Sequence, residues 1–335
     1  MVPLRRVASL LLGLALAGSA LPVAGAEGPS SDQVADADPQ LELPKTPRTV
    51  SDVPRFAGPA TLKLNGKPGV YRWTDIHFGA QEVAMRVALV PEPGDDSCVA
   101  SVRLGSGKPP LHRATYRADS AEKAKYRTVV GVDYETVPLT LASDCGAWSL
   151  ALVPREDPAI PLKISQRHYT VKGRTTAELT RALDRIDGKW AAMAWSWATW
   201  RFRWIDRGPE CEVISGAVSV KARLKLPKWK RPPDVHSSVV SEWERVRESL
   251  LIHELGHVTF ALQGAHAIDE RLDAGLKART CKKVDRMANR KARAIWDRHQ
   301  DRDDRYDRVT DHGRTQGTWF GHPSRGEVTS TTLGE

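Results

Sequence analysis

In the stretch LLIHELGHVTF, residues 250–260, His253 and His257 stand four apart with Glu254 directly after the first. A helix turns by about 100° per residue, so the two imidazoles lie about 40° apart, one turn along, and both can reach one ion. This is the H-E-x-x-H spacing of a zinc site. Neutral imidazoles hold Zn²⁺ while leaving it Lewis-acidic, with a position open for water. Glu254, about 100° round the helix, is placed to take a proton from that water and pass it to a leaving amine. The composition gives only about 0.02 chance occurrences of this pattern in the chain, so chance is a poor account of it.

The helix must aim both histidines the same way. With His253 at zero, Leu251, Leu255, Val258 and Leu262 fall at about 160°, 200°, 140° and 180°, an apolar arc opposite the pair. A helix over about 238–262 is expected, with Gly264 as its stop and a shorter helix over 267–278. A third helix follows from Val284, Met287, Ala288, Lys291, Ala292, Ile295 and Trp296 at i, i+3, i+4, i+7 spacing.

A catalytic site of this kind needs a third ligand. The extended metzincin pattern would require Gly at 260 and His at 263, where this chain has Phe260 and Gln263. His266 could serve only if the chain bends at Gly264, and Glu270 only if a second helix packs back. The other candidate ground is YDRVTDHGRTQG, 306–317, read as a loop after the third helix, with Asp307, Asp311 and His312 beside a glycine.

Upstream, 59–160 reads as strands. Val83, Met85, Val87 and Leu89 alternate with other residues, as do Cys98, Ala100, Val102 and Leu104, and Trp148, Leu150 and Leu152; Asn65-Gly66 is a turn signal. An antiparallel β-sandwich of unknown role is expected there. A second domain starts near Pro161, where RHYTVKG is β-rich. Thr175 and Glu178 then form a capping box before Leu179, Leu183 and Ile186. In MAWSWATWRFRW, a bulge near Ala198 would place all five tryptophan and phenylalanine rings on one face, as core. A half-buried strand over 218–226 should stop at Pro227.

Residues 1–26 begin with Arg5 and Arg6, continue through an apolar run and end in AGA, the pattern of a cleaved signal peptide. Residues 27–58 read as a flexible Pro-rich segment and 326–335 as a disordered tail. The expected location is secreted or periplasmic, with no stable membrane insertion after cleavage. Loss of Arg5 and Arg6 lowers the formal charge from +9 to +7. Interleaved charges such as DRHQDRDDRYDR argue for a solvated face and against nucleic acid as partner. Four cysteines in an oxidising compartment favour disulfides, and their spacing predicts Cys98–Cys145 and Cys211–Cys281.

The second domain resembles a bacterial family of predicted secreted zinc-dependent proteases. The resemblance rests on YTVKG (169–173), Cys211, LPKW (226–229), Trp243, HELGH (253–257) and 306–317. It implies a zincin-like catalytic domain over 161–325, with His253 and His257 as metal ligands and Glu254 as general base. Taken with the residue reading, it makes His312 the expected third ligand, ahead of Glu270 and Asp307, and Tyr306 an expected oxyanion stabiliser. The resulting expectation is an α+β protein, a sandwich followed by a zincin-like peptidase domain, binding Zn²⁺ and hydrolysing protein or peptide substrates. A catalytically inactive zinc-binding envelope module and an amidase acting on cell-wall peptides are the alternatives. The oligomeric state is not legible in the sequence.

Overall fold

The structure, a computed structural model, describes residues 48–49, 55–59, 61–119, 123–155, 157, 159–184 and 191–321. The expected signal peptide and the tail lie outside the described residues.

The N-terminal half consists of two facing sheets. One contains β1 (Arg48–Thr49), β2 (Arg55–Phe56), β4 (Gly69–His77), β6 (Cys98–Leu104), β7 (His112–Ala118) and β9 (Thr136–Ser143), in the order β1-β4-β9-β6-β7, with β2 also on β4. The other has β3 (Leu62–Gly66), β10 (Ala147–Pro154), β5 (Glu82–Val90) and β8 (Ala124–Gly131) in that order. Alternating apolar residues from both sheets, among them Trp73, Leu139, Leu89 and Leu150, meet in one core. All pairs are antiparallel except β1 and β2, which join β4 in parallel. The end of the 27–58 segment is therefore built into the sheet, because Phe56 has a buried place to go.

The C-terminal half carries a second kind of layer. β11 (Leu162–Val171), β13 (Cys211–Trp229) and β12 (Met193–Asp206) form a sheet in that spatial order, with β14 (Lys277–Ala278) on the start of β13. α1 (Thr176–Asp184) follows β11, and two long helices, α2 (Ser237–Asp273) and α3 (Cys281–Thr310), pack on the inner face. Both expected disulfides form. Cys211–Cys281 ties the start of β13 to the start of α3 across 70 residues, worth about 4 kcal/mol in chain entropy. No described helix is long and apolar enough to cross a membrane.

Three local expectations are corrected. Gly264 does not stop α2, which runs unbroken to Asp273. A side chain at Gly264 would come within 3.1 Å of the His299 ring on α3, so this glycine serves close helix packing. Pro227 does not end β13. The amides of Val220 and Lys230 donate toward the β11 side, so position 227 points the other way. There β12 has already ended opposite Lys225, and the missing N–H costs no ladder bond.

The third concerns β12, which keeps regular register from Met193 to Arg203 and shifts only at Arg203/Trp204. Trp200 and Phe202 face the core, whereas Trp195 and Trp197 are exposed on the opposite face. Small residues such as Ala194 lie beneath α2 instead. Alternation without a bulge leaves no other outcome.

Candidate metal centre

α2 is held on three sides. Leu255 and Val258, with Leu251 at the margin, come from the apolar arc read from the sequence and pack, together with Leu250, on Ala222, Leu224 and Leu226 of β13. Leu262, the fourth residue of that arc, joins the neighbouring core with Val218 and Val220. Phe260 packs against Phe56 and Tyr306. His253 and His257 face α3, with His253 and Glu254 both almost fully buried.

Opposite them α3 presents Asp303, Tyr306 and Asp307 at helical spacing. The two histidine Nε2 atoms lie 3.2 and 3.4 Å from Asp307 Oδ1. His253, His257 and Asp307 each offer one donor atom, all within 4.8 Å of one another. His312, the expected third ligand, stands outside this trio: its Nδ1 is 3.5 Å from Asp307 Oδ2, and its side chain is 44% exposed. Glu270 is further removed and pairs with His266 at 3.2 Å. The third donor in reach is Asp307.

Hydrogen bonds from behind set the direction of each lone pair. Nδ1 of His257 donates to Asp303 Oδ1 at 2.6 Å, and Nδ1 of His253 donates to Gln316 Oε1 at 2.9 Å. Carboxylate and amide oxygens accept only, so each bond places the proton on Nδ1 and leaves Nε2 bare toward Asp307. Tyr306 does not line the cleft. Its hydroxyl donates to the same Gln316 oxygen at 2.9 Å and toward the His253 carbonyl at 3.3 Å, and its ring stacks on His253. It is a buried prop for the ligand and not the expected oxyanion donor.

Two glycines allow this approach. A side chain at Gly256, the glycine of HELGH, would lie 2.6 Å from the Tyr306 hydroxyl. One at Gly313 would lie 2.9 Å from the His253 ring, and Gly313 also has φ +82°. The segment after α3 is thus not a simple loop. Residues 306–310 are its last turn, Asp311, His312 and Gly313 are left-handed, and Arg314–Gln316 form a 3₁₀ turn that delivers Gln316. Beyond that turn the chain is clamped by Arg245 of α2, which donates to the Gly317 and Trp319 carbonyls at 2.7 and 2.8 Å.

The electrostatics are those of a site that gathers positive charge. Burial pulls the His257 imidazole down, but the hydrogen bond to Asp303 and the adjacent Asp307 carboxylate outweigh this and, with no cation between the donors, lift it to about 10. Burial pushes the Asp307 carboxyl up, and the two histidines hold it far below the usual carboxylate range. Burial raises Glu254. Asp307 Oδ1 and Glu254 Oε2 are both buried and accept no hydrogen bond. Three converging lone-pair donors out of water are unfavourable unless a cation lies among them. Two imidazoles and a carboxylate, oriented from behind, suit a divalent transition metal.

These atoms floor a cleft of about 410 Å³, lined also by Ala191–Trp195 at the start of β12, Glu254, His312, Arg314 and Trp319. Asp303, Gln316 and Arg245 were not singled out in the sequence. Asp303 was findable: the apolar phase of α3 (284, 288, 292, 295), extended at the same spacing, reaches 299, 303, 306 and 310. Because Asp303 and Gln316 orient ligands, Asp303→Asn or Gln316→Ala should weaken metal affinity by about 10–100-fold. Titration against a competing chelator reads this, and an unchanged affinity would remove the role assigned to that residue.

Residues 166–313 match a family described as "Bacterial protein of unknown function (DUF922)". The matched span holds His253, Glu254, His257, Asp303 and Asp307 and stops short of Gln316. No curated protein matches the chain. Among solved structures, the C-terminal CBM6 of LamC, a laminarinase from Zobellia galactanivorans, is 13% identical. It covers 28% of this chain and 99% of its own, with a TM-score of 0.22. A carbohydrate-binding module from Cellvibrio mixtus lichenase 5A is 11% identical, covering 30% and 68%, with a TM-score of 0.16.

Proposed function

We propose that this chain is an exported, zinc-dependent peptidase. The observation that carries the reading is Glu254: a buried carboxylate whose Oε2 has no partner, in the same cleft as three convergent metal donors. A purely structural metal has no use for such a group, and burial makes leaving it unpaired costly. The donor set of two imidazoles and one carboxylate would also hold iron. An unpaired basic oxygen beside it is what hydrolysis requires, and this favours zinc.

His253 Nε2, His257 Nε2 and an Asp307 oxygen would hold the ion, which when bound supplies Lewis acidity to a water and to the scissile carbonyl. Glu254 accepts one proton of the attacking water as the oxygen–carbon bond forms. It then delivers that proton to the amide nitrogen as the carbon–nitrogen bond breaks. Its raised affinity for a proton suits both steps. His312 and Arg314, on the cleft wall, would bind the carbonyl oxygen as it gains charge.

Among the described residues β12 has one hydrogen-bonded neighbour, β13, and its opening residues border the cleft. An extended peptide pairing with that edge would lie across the metal donors. The reading is tested with purified mature protein, an unfolded protein substrate and metal analysis. Hydrolysis should disappear with a chelator and return with one equivalent of zinc. Full activity in the metal-stripped protein would overturn it.

A further inference from the structure

The outer face of the β11-β13-β12 sheet carries a second surface unrelated to the metal donors. Alternation turns Val220, Ala222 and Leu224 to the core and their neighbours outward. In register, Lys163, Lys221 and Trp197 make one row across the three strands, and Ser165, Arg223 and Trp195 the next. Arg167 extends the pattern on β11, and Arg201 and Arg203 on β12.

Lys163, Arg167, Arg201, Arg203, Lys221 and Arg223 are all exposed, and among the described residues none is in an ion pair. β11 contains no acidic residue, β12 none before Asp206, and β13 none after Glu212. This contrasts with the mixed charge elsewhere in the chain. Trp195 and Trp197 are 40% and 48% exposed on the same face, the Arg223 guanidinium lying over the Trp197 ring. Past the ends of β11 and β13 the basic ground continues in an open groove of about 820 Å³ that includes Lys172, Lys230 and Arg231.

We propose that this face docks the protein peripherally on an anionic phospholipid bilayer. Uncompensated cations in such number call for an anionic partner. Their layout chooses among anions. They form a two-dimensional array, strands about 4.8 Å apart and successive outward residues about 6.6 Å apart along each strand. That matches a plane of headgroups, whereas a linear polyanion would be served by a walled groove along one line. The exposed indoles suit the same plane, since tryptophan settles at the level of the headgroups. Two disulfides fit an oxidising compartment, where nucleic acid is not the ready partner. Trp195 belongs both to this face and to the cleft border, so docking would hold the cleft mouth close to the membrane surface. This inference does not depend on the peptidase reading.

The test is co-sedimentation of the mature protein with phosphatidylcholine vesicles with and without 30% phosphatidylglycerol. Binding should require the anionic lipid and weaken with salt. Each basic residue near a charged surface is worth about a fivefold change in partition, so Arg201→Ala/Arg203→Ala should bind about 25-fold more weakly. Brominated phosphatidylglycerol should quench wild-type tryptophan fluorescence, and Trp197→Ser should show less quenching. Should a variant fail to fold, the wild-type quenching and salt dependence still decide the matter. Equal or absent binding to the two vesicle types, or no quenching, would overturn the proposal. Tight binding of poly(dT) or an anionic polysaccharide with vesicles ignored would also overturn it, assigning the face to a soluble polymer.

Discussion

Glu254→Gln is expected to keep its full complement of metal and to lose between about 100-fold and 10,000-fold in kcat/KM for peptide hydrolysis. Glutamine matches the shape of the side chain but has no oxygen basic enough to take a proton from water. Burial makes this a loss of chemistry and not of folding. Glu254 is 3% exposed and its Oε2 accepts no hydrogen bond, so the ionised carboxylate carries a desolvation cost that the neighbouring His253 and His257 offset only in part. Replacing it by a neutral isostere removes that desolvation cost, and the thermal midpoint of the metal-free protein should stay level or rise. A marked fall in midpoint would make Glu254 a structural residue. Unchanged hydrolysis would eliminate it as the base.

Asp307→Ala is expected to lose bound metal, with affinity falling by more than the roughly 100-fold that marks the upper end for residues acting from behind a ligand. Asp307 Oδ1 lies between the two Nε2 atoms, 3.2 and 3.4 Å away, and its removal leaves two imidazoles alone. His312→Ala should retain one metal per chain, because His312 meets Asp307 on its far oxygen, Oδ2, and lies on the cleft wall. Its loss should appear instead in kcat/KM. Metal content after dialysis separates the two variants. If the Asp307 variant keeps stoichiometric metal and the His312 variant loses it, the ligand assignment made from geometry is wrong.

The histidine pair, the facing of α2 and both disulfides were legible because each depends on a short period or a parity of cysteines. The carboxylates were harder to read. The apolar stripe of α3 ends at Trp296, yet the helix continues for fourteen residues to Thr310. Where it passes the metal donors the inward positions become His299, Asp303, Tyr306 and Asp307. Polarity there is the sign of the site, and hydrophobic periodicity is blind to it. Gly264 misleads for a related reason. The same residue type ends a helix or lets two helices touch, and only the neighbour, His299, tells which. The outward tryptophans are misleading because an aromatic run invites the idea of a core, while strict alternation in β12 allows half of it to face water.

Gln263 occupies the position where a longer metal-binding motif would have a histidine, and here its amide donates to the Phe78 carbonyl of the sandwich, at 3.1 Å and fully buried. Beside it Thr259 comes close to Gly79, and Phe56 lies edge-on to Tyr306. The sandwich therefore forms the back wall of the metal helix. A chain beginning at Pro161 would present that wall to water, and the two halves are not modules that could be exchanged or separated at will. Occupancy of the metal site and cohesion of the sandwich become linked quantities, so each would be felt in the other's stability.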